Sequence, residues 1–286
     1  MTIGLRSLLF VPGDDARKIN RALASQADAV IIDLEDSVAL PNKDAARHLA
    51  GEVLQQPRKI TIFVRINGLS SGQSEADLDA VLTHRPDGIV LPKCRSGDDI
   101  TRLAIQTGPN VPVIAIATET ASSLLAMATY ASAAATLVAL AWGGEDLSLD
   151  LGAATNRASD GGYADPYRLA RTLCLVGARA AGVEPIDAVF TAYRDLAGLE
   201  TEAEAAARDG FSGKLAIHPD QVPIINRVFT PSQKDVERAE RVVAAFESAG
   251  RRGVIGLDGE MLDVPHLRRA ERILARAGRS RGANGQ

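Results

Sequence analysis

Short apolar runs rich in Val, Ile and Leu recur along the chain, and each is followed by a stretch of amphipathic periodicity. They are Ser7–Val11, Ala29–Leu34, Ile60–Ile66, Gly88–Leu91, Val113–Ala117, Leu137–Trp142, Ile186–Phe190 and Leu215–Ile217. They read as strands buried on both faces, as in a parallel sheet, not as half-exposed alternating ones. The intervening helices carry start and stop signals. Asp165-Pro166 offers a cap and a first-turn proline, Leu169, Leu173, Val176 and Ala180 share a face, and Gly182 stops the helix. Thr230-Pro231-Ser232-Gln233 has capping-box form before Val236, Ala239, Val243 and Phe246, with Gly250 as the stop.

Strand–helix units repeated eight times within roughly 250 residues predict an α/β fold, the TIM (β/α)8 barrel. A doubly wound open sheet is the competing architecture. The Gly-rich turn it would need is missing, since Val11-Pro12-Gly13-Asp14-Asp15 is no G-x-G-x-x-G. Beyond the barrel, Val254–Leu262 reads as a hairpin with an Asp258-Gly259 turn, followed by a helix over roughly Pro265–Ala277 and a frayed tail from Arg279. The expected organisation is a catalytic barrel over residues 1–250 and a C-terminal hairpin-plus-helix extension over 251–286.

Composition narrows the partners. Hydrophobic residues make up 46% and charged residues 24%, and the net charge of −4 gives no broad reason to bind nucleic acid or an anionic membrane. Basic residues near Arg251 and Arg252 and from Arg268 to Arg281 are explained as well by a solvated face as by a partner. Cys94 and Cys174 have neither a disulfide framework nor metal-ligand spacing. No signal-peptide pattern and no apolar run of ~18 residues is present, so a cytoplasmic protein is expected.

In a barrel, polar residues at strand C-terminal ends can reach an active site. The strand endings here are Asp33-Leu34-Glu35-Asp36, Arg65-Ile66-Asn67, Pro92-Lys93, Thr118-Glu119, Gly143-Gly144-Glu145-Asp146 and Lys214-Leu215-Ala216-Ile217-His218. Taken singly, Glu119 or Asp146 could cap the next helix, and Arg65 could simply pair with Glu35. Taken together, packed carboxylates repel unless a cation or proton intervenes. Carboxylates without paired His or Cys describe a hard-ligand site suited to Mg²⁺. The four histidines, His48, His84, His218 and His266, are too scattered for zinc, with His48 and His84 placed in helices.

At these residues the chain resembles the citrate lyase β-subunit-like enzymes of the HpcH/HpaI aldolase superfamily, which include malyl-CoA and citramalyl-CoA lyases. The matching segments are Arg6–Gly13, Asp33–Val38, Val64–Asn67, Leu91–Lys93, Glu119-Thr120, Glu145-Asp146, Gly210–Lys214, Ile217–Pro219 and Gly259–Pro265. They run in order almost end to end. The resemblance implies a Mg²⁺ site, with Mn²⁺ able to substitute, in which Glu119 and Asp146 are the ligands. It implies that Arg65 contacts substrate beside the metal, and that Glu35 and Asp36 bond metal-bound waters or Arg65. Lys93 and His218 read as substrate-orienting groups. Asp263 falls where CoA-dependent relatives carry a reacting aspartate, often over a neighbouring subunit's site; the lesser alternative is a cap for the helix before Pro265.

The implied chemistry is retro-aldol (Claisen-type) cleavage of a β-hydroxyacyl thioester such as malyl-, citramalyl- or citryl-CoA. CoA enters as part of the substrate, and a homotrimer or homohexamer is expected. Lys93 and Lys214 read as orienting charges, because a metal-assisted reaction needs no imine. His218 and Trp142-Gly143-Gly144 favour a stand-alone enzyme over a carrier-dependent subunit. The competing readings are a Mg²⁺-dependent aldolase acting on free 4-hydroxy-2-keto acids and a non-catalytic binding subunit.

Overall fold

The computed structural model describes residues 4–133, 135–250 and 253–283. The expected strands appear as β1 (Ser7–Pro12), β2 (Ala29–Asp33), β3 (Thr61–Arg65), β4 (Gly88–Leu91), β5 (Val113–Ile116), β6 (Leu137–Ala141), β7 (Glu184–Asp187) and β8 (Gly213–Ala216). They close into one parallel barrel in chain order, with β8 pairing back onto β1. Helices α1 (Ala16–Leu23), α2 (Lys43–Gln55), α3 (Ser74–Leu82) and α4 (Gly97–Thr107) follow the first four strands. Then α5 (Ala121–Leu125) follows β5, α6 (Glu145–Asp150) and α7 (Asp165–Ala180) follow β6, and α8 (Leu196–Asp209) follows β7. Leu8, Ile31, Phe63, Val90, Ile114 and Leu215 belong to one buried cluster that draws on strands all round the barrel. Among the described residues, no helix is long and apolar enough to cross a membrane.

Two features of α7 differ from expectation. Its N-cap position is Ala164, with no side-chain cap, while Asp165 stands one residue inside and pairs with Arg168. Its buried face carries Tyr167, Ala170, Cys174, Gly177 and Ala178, whereas Leu169 and Val176 are 55% and 59% exposed. Close approach decides this. A Cβ on Gly177 would come within 2.6 Å of the Met127 side chain, so the inner face needs small residues and the large aliphatics turn outward.

The contacts divide the chain into Met1–Asn226 and Arg227–Gln286, earlier than the expected boundary at 250; the division falls within α9 (Val222–Phe229). The second unit holds α10 (Gln233–Ser248), the antiparallel pair β9 (Val254–Leu257) and β10 (Glu260–Asp263), and α11 (Val264–Ala283). It includes α10 because Ala239, Val242 and Phe246 share a core with Leu262, Leu267 and Ala270. Ser232 is the cap of α10, in a reciprocal capping box with Asp235, so the cap falls two residues after Thr230. Asp258 and Gly259 have φ of +52° and +81°, the left-handed pair that a tight type I′ hairpin turn requires. The last helix runs through Ala283, where a frayed tail was expected; residues 284–286, like Arg251 and Arg252, lie outside the described residues.

A lysine is sealed behind the barrel wall. Leu215 belongs to the barrel cluster, so strand alternation turns its neighbour Lys214 outward, towards α8. Lys214 is 0% exposed. Its Nζ donates to Asp187 Oδ2 at 2.6 Å and to Glu202 Oε1 at 2.9 Å. Asp187 Oδ1 also accepts from Trp142 Nε1 at 2.7 Å and from Arg171 Nε at 3.3 Å. Burial alone would raise the Asp187 pKa, but the Lys214 and Arg171 charges and these hydrogen bonds outweigh it and hold the group below its usual range.

Asp187→Asn leaves the buried Lys214 charge with Glu202 as its one carboxylate partner among the described residues and is expected to lower stability by roughly 3 kcal/mol in urea unfolding at pH 7. Because the folded pKa is depressed, the stabilisation is complete above the unfolded value of about 4 and fades as pH falls through the folded value. The variant should therefore lose less stability than wild type between about pH 4 and pH 2 in acid titrations followed by circular dichroism.

Candidate active site

The parallel register sets Asp33, the last residue of β2, beside Arg65, the last residue of β3. Arg65 grips that carboxylate with both arms, Nε to Oδ1 at 2.7 Å and Nη2 to Oδ2 at 2.5 Å. Asp33 also accepts the backbone N–H groups of Glu35 and Ser37, which fixes the loop leaving β2. Burial would raise the Asp33 pKa, yet the Arg65 bond and charge prevail and hold it low. Phe10 lies under the guanidinium, 4.7 Å from its centre. The orientation of Arg65 is thus over-determined, and Asp33, not Glu35, is its principal partner.

Glu35 is buried beside this pair. Arg65 Nη1 lies 3.0 Å from Glu35 Oε2 but is not aligned with it, so that oxygen has no hydrogen-bond donor among the described residues. The other oxygen, Oε1, accepts from Lys93 Nζ at 2.6 Å. Burial, with help from the Asp36 charge, raises the Glu35 pKa above its usual value.

Lys93 follows β4 with a φ of +51°, a left-handed conformation that stores roughly 1 kcal/mol in a residue with a Cβ. Its backbone N–H donates to Glu119 Oε2 at 2.5 Å. Its ammonium lies 3.0 Å from Asp36 Oδ2 and 3.6 Å from Asp146 Oδ1, in addition to its bond with Glu35. Burial opposes that charge, but the bonds to Glu35 and Asp36 outweigh it and raise the Lys93 pKa.

Glu119 stands beyond β5 and is almost fully buried. Burial, reinforced by the Glu35 and Asp146 charges, pushes its pKa up to about 8 despite the Lys93 backbone bond. Its side chain fits there because residue 143 is glycine: a Cβ would meet Glu119 Cγ at 3.2 Å and Oε1 at 3.4 Å. Asp146 sits in the first turn of α6, whose N-cap position is Gly144. Neither Glu119 nor Asp146 serves as a helix cap, since Thr120 caps α5.

The structure therefore gathers Glu35, Asp36, Arg65, Lys93, Glu119 and Asp146, and adds Asp33. Lys214 does not belong to this rim, being enclosed between Asp187 and Glu202. His218 stacks on Tyr193 with ring centroids 5.1 Å apart, and its Nδ1 accepts the Asp220 N–H. His48 is on α2, and His84 lies in the turn after α3. Asp263 ends β10 in the second unit. There its Oδ1 lies 2.5 Å from His266 Nδ1, which also accepts the Asp263 backbone N–H at 3.2 Å.

Comparison with known proteins decides the family. A model described as HpcH/HpaI aldolase/citrate lyase matches residues 6–219, and one described as C–C bond lyase of the TIM-barrel fold matches residues 171–279. The chain belongs to the HpcH/HpaI aldolase/citrate lyase family. It is 38% identical to a (3S)-malyl-CoA thioesterase of Cereibacter sphaeroides, over 95% of this chain and 94% of that protein. Identity to citrate lyase subunit beta of Escherichia coli K12 is 35%, over 95% of this chain and 93% of the relative. Among solved structures, protein CitE of Mycobacterium tuberculosis in complex with magnesium, acetoacetate and coenzyme A aligns with a TM-score of 0.80. That alignment has 36% identity and covers 96% of this chain and 98% of CitE.

The residues present in this family member can be tested for a divalent ion. No group of three or more His, Cys, Asp or Glu side chains forms a ready metal cage among the described residues. The rim fits a hard cation that takes few protein ligands and keeps water or substrate oxygens. Its donors are oxygens, Glu119 is destabilised as an anion by its neighbours Glu35 and Asp146, and Glu35 Oε2 has an unbonded lone pair.

Asp33→Asn removes the anchor of a largely buried guanidinium and is expected to lower stability by roughly 2 kcal/mol in urea unfolding. Asp36→Asn, at an exposed side chain, should stay within about 0.5 kcal/mol of wild type. Equal effects of the two would remove the structural distinction drawn between them.

Proposed function

We propose that the chain is a Mg²⁺-dependent carbon–carbon lyase that cleaves a β-hydroxyacyl-CoA thioester of the malyl, citramalyl or citryl class. The observation that carries this reading is the rigid Arg65–Asp33 pair set against the Glu119 and Asp146 carboxylates at the C-terminal ends of the barrel strands. A fixed cation beside a hard-ligand pair suits a substrate that presents a carboxylate and a hydroxyl on adjacent carbons. Family membership and the CitE complex with magnesium, acetoacetate and coenzyme A support the same reading.

Glu119 and Asp146 are the assigned metal ligands. When bound there, Mg²⁺ supplies Lewis-acid polarisation of the substrate oxygens. Arg65 orients the substrate carboxylate and places fixed positive charge where the hydroxyl oxygen gains negative charge. Glu35, with its unbonded Oε2, takes the hydroxyl proton. The oxygen's electron pair then forms the new C=O bond, the carbon–carbon bond breaks, and its electrons pass into the thioester enolate. Protonation at carbon completes acyl-CoA and releases a 2-keto acid, from a citryl thioester as from a malyl or citramalyl one.

Asp263 is assigned that last proton, over a neighbouring subunit's site, as the family resemblance implies for its position. Lys93 and His218 orient substrate. A homotrimer or homohexamer is the assembly we favour. Hydrolysis of the hydroxyacyl thioester to the free hydroxy acid and CoA, a malate-synthase-like outcome when it follows condensation, is a second reading, favoured by the (3S)-malyl-CoA thioesterase among the relatives.

A coupled assay across malyl-, citramalyl- and citryl-CoA, with free 4-hydroxy-2-keto acids as controls, tests the proposal. Removing metal with EDTA should abolish turnover and added Mg²⁺ or Mn²⁺ should restore it. Asp146→Ala and Arg65→Lys should each lower kcat/KM by about a hundredfold or more. Full activity of Asp146→Ala, or turnover of the free acids alone, would sink the reading. Release of free CoA together with the intact hydroxy acid would establish the thioesterase step.

A further inference from the structure

We propose that Lys93 is a built-in counter-cation of the carboxylate rim, which competes with the divalent ion for the same charge and so sets how tightly that ion is held. The inference rests on the metal reading above and gives Lys93 a role beyond orienting substrate.

Lys93 touches the rim through two groups. Its ammonium lies 2.6 Å from Glu35 Oε1, 3.0 Å from Asp36 Oδ2 and 3.6 Å from Asp146 Oδ1. Its backbone N–H donates to Glu119 Oε2. One residue thus meets both assigned metal ligands and both acidic residues of the β2 loop. The left-handed φ matters here, because it belongs to the backbone conformation in which amide and side chain reach the same cluster. Arg65, the other rim cation, is bonded twice to Asp33 and also lies 3.0 Å from Glu35 Oε2, but no ion pair joins it to Asp36 or Asp146 among the described residues. Lys93 is therefore the cation that answers the charges of Glu35, Asp36 and Asp146 together.

A divalent ion at Glu119 and Asp146 must share Asp146 with this ammonium. Two cations on one carboxylate weaken each other's hold, and that coupling is reciprocal. In the metal-free protein Lys93 keeps the carboxylates from repelling one another. In the loaded protein it loosens the ion. The pair of states describes a metal that exchanges freely, with a charge always present to replace it.

Titration calorimetry with MgCl₂ alone, and thermal melts with and without Mg²⁺, on EDTA-treated full-length protein test this. Lys93→Met and Lys93→Gln both remove the charge, and Gln keeps a hydrogen-bond donor should the Met variant fold poorly. Both are expected to bind Mg²⁺ about tenfold more tightly than wild type. Both should also melt at a lower temperature without metal and show a larger Mg²⁺-induced rise. Lys93→Arg keeps the charge and should bind within about twofold of wild type. If wild type binds Mg²⁺ while the neutral variants bind it equally or more weakly, the counter-cation role is overturned and the metal reading stands. If wild type shows neither heat nor a melting shift with Mg²⁺, the metal reading fails and takes this inference with it.

Discussion

Carboxylates that share a buried rim repel one another, and one end of this barrel is organised around that repulsion. Parallel pairing places Asp33 next to Arg65 at the ends of β2 and β3, so one negative charge is neutralised by the backbone register itself. Lys93 answers Glu35 and Asp36 from β4, in a conformation a side-chain-bearing residue rarely adopts. Glu119 then has too little compensating charge nearby. Burial and its acidic neighbours hold its pKa near 8.

The barrel wall holds a contrasting arrangement. Behind β7 and β8, Lys214, Asp187, Glu202, Arg171 and Trp142 satisfy one another in a closed network with no exposed lysine atom. That network is finished, and its chemistry is structural. The rim keeps a Glu35 oxygen without a hydrogen-bond donor among the described residues and a Glu119 carboxyl whose ionised form is disfavoured. The same residue types therefore do different work according to whether the set is electrically complete. This incompleteness, more than the presence of charged residues, marks the functional end.

Much of this was legible in the sequence. The buried runs gave the strand order and the closed barrel, because doubly covered parallel strands need continuous apolar segments. Reading the polar residues at strand endings gathered Glu35, Asp36, Arg65, Lys93, Glu119 and Asp146. Three features escaped for definite reasons. The face of α7 was misjudged because close packing on Met127 selects Ala, Gly and Cys, so the conspicuous Leu169 and Val176 were free to face outward. Lys214 was read as a rim charge because its partners Asp187 and Glu202 are remote in sequence. Asp33 was passed over in favour of Glu35, although pairing the ends of adjacent parallel strands would have set it against Arg65.

The lysine environments have a further consequence under the proposed function, which sets the site beside acyl thioesters, reagents that acylate neutral amines. Lys214 has no exposed surface for such a reagent to approach. Lys93 is reachable, but Glu35 and Asp36 keep it protonated, and an ammonium has no lone pair with which to attack. The ion pairs that order the rim therefore also protect it chemically, so that a reactive thioester can lie next to a lysine without the site acylating itself.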